Sequence, residues 1–162
     1  MLILCERATA IAASDERVTI RIASKSGMSI GAKRNEACRL SSGELICHWD
    51  DDDYSAPQRV EDQVARLLES GKAVTGYHSM RFTDGQQWKR YENGPDYALG
   101  TSLLYRKEWW ERHPFLDIAV EEDNAFVADS ARAGQLISVD AGALMYATIH
   151  PGNTSPKTFS LK

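Results

Sequence analysis

Long apolar runs are missing from this chain. Its longest uninterrupted hydrophobic stretches are only a few residues, far short of the about 20 that a membrane-spanning helix needs. Cysteine is scarce. The three thiols, Cys5, Cys38 and Cys47, are odd in number and lack metal-type spacing. That excludes a disulfide scaffold and points to reduced, core-facing thiols in a cytoplasmic protein. An excess of positive charge is absent too: 19 Lys and Arg stand against 23 Asp and Glu, for a net charge of −4. This is not the footprint of a nucleic-acid partner. The apolar start Met1–Leu4 meets charge at Glu6 and Arg7, too early for a secretory signal. Repeats, linkers and low-complexity segments are also lacking. What remains is a chain of 162 residues, 43% hydrophobic and 26% charged, which suits one soluble domain over 1–162. Residues 1–16 form an atypical N-terminus and 151–162 an irregular tail.

The pattern alternates strand with helix. "RVTIRIAS", residues 17–24, places Val18, Ile20 and Ile22 on one face and reads as a half-buried strand. "SIGAKRNEACRLSSG" follows as a helix with Ile30, Ala37, Cys38 and Ser41 near one face and Gly43 as its stop. "ELICHW", 44–49, is a short buried strand. A helix over 57–70 has Ser55 to cap it, Pro57 in its first turn, Gln58 completing a capping box, and an apolar stripe of Val60, Val64, Leu67 and Leu68. "AVTGYHSM" is a strand, and Asp84–Gly85 centres a hairpin. "YALGTSLLYR", 97–106, reads as a strand in which Gly100 allows close backbone approach. A short helix over 108–113 breaks before Pro114. "EEDNAFVADSARAG" is a helix ending at Gly134, and "QLISVD" and "ALMYATIH" are strands. The expected fold class is α/β, a mixed sheet flanked by helices, with ligands beyond the carboxyl ends of the strands.

At such an end lies "ICHWDDDDYSAP", residues 46–57. Four adjacent carboxylates repel unless solvent, a helix dipole or a cation offsets the cost. On an extended backbone Asp50 and Asp52 project to one side and Asp51 to the other. Two carboxylates so placed suit a hard divalent ion that also bridges substrate phosphates. Asp53 is expected to favour the start of the following helix. A solvated acidic turn is the alternative. "EEDNAF" sets carboxylates at a helix start, where they serve either the dipole or as a general base toward a substrate hydroxyl. His150, at the end of an apolar strand, is either structural or a contact for metal or phosphate. Lys33 and Arg34 oppose the dipole at a helix N-terminus; a bound anion would explain them, as would simple solvation. A nucleophilic pair of Cys47 and His48 is disfavoured, because strand neighbours face opposite ways.

Together, these segments in this order resemble the family 2 glycosyltransferases of the GT-A fold. "SIGAKRNEACRLSSGELICHWDDDDYSAPQRVEDQ" is similar to the family's segment from its "RN" helix through the metal-binding DxD motif. "LGTSLLYRKEWWERHPF" is similar to the acceptor-side strand and loop, "EEDNAF" to the ED motif, and "HPGNTS" to a late histidine element. The resemblance implies a GT-A-like domain whose Asp52, with Asp50 and His150, holds Mn²⁺ or Mg²⁺. It implies that Lys33, Arg34, Asn35, Asp50 and Asp51 border a nucleoside-diphosphate sugar, a UDP-sugar foremost, and that Asp123, beside Glu122, is the base acting on a saccharide or other hydroxyl acceptor. The activity implied is inverting transfer.

Only residues 1–16 precede the first expected strand, where the family carries a strand, a helix and a second strand with an acidic nucleotide-binding turn. An N-terminally shortened domain is therefore expected, with a sheet edge that a second copy of the chain would cover. Two alternatives stand beside transfer: a non-catalytic relative that keeps the fold and the metal site, and a metal-dependent phosphoesterase with two ions.

Overall fold

The computed structural model describes residues 1–5 and 15–153. Residues 6–14 and 154–162, which hold the charges Glu6 and Arg7 and most of the expected tail, lie outside the described residues. In chain order the elements are strands β1 (Leu2–Cys5) and β2 (Thr19–Ile22), helix α1 (Ile30–Leu40), strands β3 (Leu45–Cys47) and β4 (Tyr54–Ser55), and helix α2 (Arg59–Ser70). Strands β5 (Val74–Thr83) and β6 (Trp88–Tyr91), a 3₁₀ turn (Gly100–Ser102), strand β7 (Leu104–Arg106) and helix α3 (Lys107–Arg112) follow. Helix α4 (Glu122–Arg132) and strands β8 (Leu136–Asp140) and β9 (Met145–Thr148) complete the order.

The main sheet has seven strands and is mixed, as expected. Its path runs β3-β7-β5-β9-β4, with β6 and β8 also on β5. β5 is the hub: its first half pairs antiparallel with β7 and parallel with β8, and its second half pairs antiparallel with β6 and parallel with β9. A register shift between Tyr77 and Ser79 marks the change. β1 and β2 form a separate parallel pair, from Leu2 opposite Thr19 to Cys5 opposite Ile22. The N-terminal stretch thus supplies one strand. The expected 17–24 strand is shorter, and Ile22 is exposed.

One core cluster lies between α1, α3, α4 and the β5–β7–β8 end, built on Val74, Leu103, Tyr105, Trp109, Trp110, Phe115 and Phe126. A second fills the other end around Tyr77, Met80, Phe82, Met145 and Ala147. α1 starts where Ser29 Oγ accepts from Ala32 N at 3.0 Å. It ends at Leu40, ahead of Gly43, because Ser41 N–H already closes on Ala37 O. Gly31 lies under the 115–118 segment, where a Cβ would overlap the Leu116 carbonyl.

α2 departs from its expected face. Val60 and Leu68 are exposed, and the buried residues are Arg59, Gln63 and Leu67. No capping box forms: Gln58 precedes the helix without a side-chain cap, and Ser55 lies in β4 and receives Arg59 Nη1 at 2.8 Å. Arg59 is fully buried. Its guanidinium also donates to Gln63 Oε1 at 3.2 Å, His48 O at 3.0 Å and Thr101 O at 3.1 Å. Gln63 Nε2 donates to Ser102 O at 2.7 Å. The inward face of α2 is a polar clamp on the 3₁₀ turn. That turn replaces the middle of the expected 97–106 strand, because Ser102 Oγ takes Tyr77 N–H at 2.8 Å and donates to Leu99 O at 2.7 Å. The hairpin forms as expected, with Asp84 Oδ1 accepting from Gln86 and Gln87 N–H and Gly85 at φ 88°.

Replacing Arg59 with Leu takes the donor from Thr101 O and from Gln63 Oε1, and leaves His48 O with only the Cys47 thiol at 3.4 Å. Each buried unsatisfied group costs about 1–3 kcal/mol, so urea denaturation is expected to show a loss of about 3 kcal/mol or more. A loss within 0.5 kcal/mol, roughly that of a surface change, would refute the clamp.

Candidate active site

β3 delivers the chain to the carboxylate loop at the sheet's end. Asp50, Asp52 and Asp53 bring carboxylate oxygens within 4.8 Å of one another. Asp53 does not serve the helix, which begins six residues later. Its Oδ2 accepts from Thr101 Oγ1 at 2.7 Å and its Oδ1 from Thr148 N at 2.9 Å. It therefore ties the loop to the 3₁₀ turn and to β9. Asp52 Oδ2 accepts from His150 Nε2 at 2.8 Å and Asn153 Nδ2 at 3.2 Å. His150 Nδ1 receives the Gly152 N–H at 3.1 Å, so the ring is the Nε2–H tautomer and donates to Asp52. His150 thus orients Asp52, and would reach a cation through Nε2 only by giving up that bond. Asn153 also fixes the His150 backbone, accepting its N–H at 2.7 Å. Asp51 and Asp52 are exposed.

The second acidic pair opens α4. Glu121 precedes it at φ 64°, the one non-glycine with positive φ among the described residues, a conformation that costs about 1–3 kcal/mol. Asp123 lies against Gly100, where a Cβ would collide with its Oδ2. The close approach expected at Gly100 is made by this carboxylate. Glu122 turns inward, 5% exposed, with Arg34 Nη1 at 3.1 Å from its Oε1. The approach is off the N–H axis, and Arg34 Nη1 has no hydrogen-bond acceptor; charge holds the pair. Burial pushes the Glu122 carboxyl up, Arg34 draws it partly back, and the charges of Asp123 and Asp50 push it further up. The two acidic segments therefore share one field.

The "RN" residues divide their work. Arg34 faces Glu122 and lies 5.7 Å over the Phe115 ring. Asn35 donates to Phe115 O at 2.8 Å and accepts from Phe115 N at 3.0 Å and Trp110 Nε1 at 2.8 Å. Its amide ties α1 to the 110–115 segment, with Lys33 two residues before it. A concavity of about 420 Å³ opens beside the α1 N-terminus, lined by Lys25, Met28, Asn35, Glu36, Arg39 and Asp117 among others. Asp50, Asp51, Asp52 and Asp53 do not line it.

Behind Gly100 runs a buried polar chain. His48 Nδ1 donates to Gly100 O at 2.8 Å, Tyr105 OH meets His48 Nε2 at 3.1 Å, and Cys38 Sγ meets Tyr105 OH at 3.2 Å. A carbonyl only accepts, so Nδ1 of His48 carries a proton, and in the neutral ring that burial favours Tyr105 donates to Nε2. Desolvation, the Arg34 charge and the Arg59 charge drive the His48 pKa well down, against the pull of Gly100 O. Local pattern assigns no site role to Asn153, Thr101 or Arg59, and for His48 it offers only the disfavoured pairing with Cys47. The one available hint was Asn153, directly after the Pro151–Gly152 turn that follows His150.

A mixed sheet flanked by helices, with a carboxylate loop at a strand end and an acidic pair at a helix start, defines the GT-A-like class. Within it, the chain belongs to glycosyl transferase family 2, whose model matches residues 5–139. The fold is similar to that of S. aureus TarS 1–349 in complex with UDP-GlcNAc (TM-score 0.68, 18% identity, 87% of this chain and 45% of that one). It is also similar to the same fragment in complex with UDP (TM-score 0.63, 19% identity, 83% of this chain and 44% of that one). The chain spans less than half the length of these proteins. No curated protein matches it. Among the described residues no helix is long and apolar enough to cross a membrane.

Two outcomes follow from this geometry. Gly100→Ala forces Asp123 off its seat, at about 1–3 kcal/mol of overpacking; an unchanged melting temperature would show that the seat is open. His48 has a folded-state pKa below its ordinary value of about 6.5, so the unfolded chain binds the extra proton. Stability is therefore full above about pH 6.5 and falls as pH drops below it, by at most about 1.4 kcal/mol per pH unit. Urea midpoints at pH 7.5 and 5 measure this, and His48→Gln is expected to flatten the difference.

Proposed function

We propose that this chain transfers a sugar, with inversion, from a nucleoside-diphosphate sugar to an acceptor hydroxyl, with a divalent cation at the aspartate loop. The observation that carries the reading is the carboxylate cluster of Asp50, Asp52 and Asp53, with Asp52 oriented by His150 and Asn153. The donor set fits the ion. Asp53 is used on both oxygens, which leaves Asp50 and Asp52 as hard oxygen donors, the one or two carboxylates that Mg²⁺ or Mn²⁺ takes when it also binds phosphate. When bound, such an ion supplies Lewis-acid stabilisation to the departing diphosphate.

The chain's own residues account for the rest. Asp50 and Asp51 flank the donor's ribose and phosphates, and Lys33 and Arg34 add positive charge toward them. Arg34 also neutralises Glu122, which keeps the second carboxylate of the pair out of the chemistry as a positioning group. Asp123, seated on Gly100, takes the proton from the acceptor hydroxyl as that oxygen attacks the anomeric carbon from the face opposite the leaving diphosphate. A UDP-sugar is the favoured donor, because S. aureus TarS 1–349, of the same fold, is described in complex with UDP-GlcNAc and with UDP. A phosphoesterase reading draws on the same aspartates but gives Asp123 and its Gly100 seat no work.

Calorimetry with UDP-sugars and Mn²⁺ is the direct test. Asp123→Asn is expected to lower transfer by roughly 10²–10⁴-fold, the usual contribution of a positioned base, with UDP and Mn²⁺ binding retained; full activity would remove Asp123 from the mechanism. His150→Ala is expected to weaken Mn²⁺ binding by about 10–100-fold, as losing a partner that orients a ligand does. Donor binding in the wild type that needs no divalent ion would overturn the metal's part.

A further inference from the structure

The outward face of the sheet beside the aspartate loop carries aromatic rings that a core does not require. Tyr54 on β4, Tyr146 on β9, Arg81 on β5 and Arg90 on β6 stand in register across four strands, and Trp88 lies opposite Thr83 two positions along. Their neighbours Met80, Phe82, Met145 and Ala147 point the other way, into the core. Tyr54 and Tyr146 stack at 4.7 Å and 12°, and Trp88 meets Tyr146 edge-on at 5.0 Å and 76°. Arg81 lies 5.1 Å over the Trp88 ring. Trp88 is 54% exposed and Tyr54 43%, so rings worth burying are left in water at the edge strand β4 and the hairpin strand β6.

We propose that this face is a saccharide-docking surface that leads a glycan to the aspartate loop. Ring faces carry the negative side of the aromatic quadrupole, which suits the polarised C–H face of a pyranose. The Arg81 guanidinium, set against the Trp88 ring, offers planar donors to hydroxyls, whereas that of Arg90 is already held by Glu92 and Asp140. Flat, amphipathic and rigid rings give contact area at low entropic cost. The surface also has a direction. Tyr146, Thr148 and His150 alternate onto one side of β9 and its extension, Thr148 N holds Asp53 and His150 holds Asp52, and Tyr54 directly follows Asp53. From Tyr146 to His150 is about 13 Å along an extended strand, the reach of a short oligosaccharide. A glycan lying across the rings would thus end at the carboxylates. Which of its hydroxyls reacts rests on the transferase reading; the docking itself does not.

Titration calorimetry on the whole chain, without nucleotide or metal, tests it. The probes are hexamers of β-1,4-linked glucose and of β-1,4-linked N-acetylglucosamine, and a uronic-acid hexamer. At least one is expected to bind, and Trp88→Ala and Tyr54→Ala are each expected to weaken it about tenfold, equivalent to about 1.4 kcal/mol. The UDP and Mn²⁺ titration is run beside it: glycan binding with no nucleotide binding keeps the docking surface and removes the transferase reading. No binding by any of the three glycans, or equal binding by both variants, overturns the proposal. So does a concentration-dependent dimer in sedimentation that Trp88→Ala and Tyr54→Ala abolish, which would assign the rings to a second copy of the chain.

Discussion

A guanidinium sealed from water must find acceptors inside the chain, and Arg59 finds them on three separate segments: the carbonyl that ends the approach to the aspartate loop, the hydroxyl of β4, and the carbonyl of the 3₁₀ turn. Its charge has only neutral partners among these, with the Trp49 ring 5.4 Å away. The arrangement is stable because several dipoles share one cation in a dry environment. It also sets the position of nearly everything at the site. Thr101, held by its carbonyl, turns its hydroxyl to Asp53. Gly100, next in line, is held by His48 from behind and faces Asp123 in front. A helix that contributes no group to the reaction thereby fixes the spacing between the two acidic segments.

The second constraint is charge. The run of four aspartates is distributed among distinct partners: Asp53 to a hydroxyl and an amide, Asp52 to an imidazole and an amide side chain. On the opposite wall Glu122 is balanced by Arg34. The acidic residues left facing outward are those to which the proposed function assigns a cation and the donor. Preorganisation of this kind places the cost of gathering like charges in folding.

Much of this was legible in order and spacing. The α/β alternation, the hairpin at Asp84–Gly85, the acidic start of α4 and the aspartates at a strand end follow from local pattern, which short-range physics determines. What could not be read depends on partners far along the chain. Val60 and Leu68 looked like core by periodicity, yet the helix buries Arg59 and Gln63, because the surface waiting for it is a row of carbonyls. Asp53 reads as a helix-starter from its position, but its partners are Thr101 and Thr148, 48 and 95 residues away. Asn153 hides for the same reason: its bond to Asp52 spans 101 residues.

β5 adds a constraint of another kind. Its neighbours all follow it in sequence: β6 and β7 come first, whereas β8 and β9 arrive some 60 residues later, and β4, made at residue 54, has its partner at Met145–Tyr146. Until those last strands exist, the central strand's backbone and the Asp53 carboxylate lack their final partners. During synthesis the chain therefore holds an unfinished sheet with a ten-residue strand, destined for burial, at its middle. Such late, long-range closure makes for slow folding and exposure to aggregation. Assembly of the aspartate loop is correspondingly a closing event: the site comes into being only when the end of β9 docks.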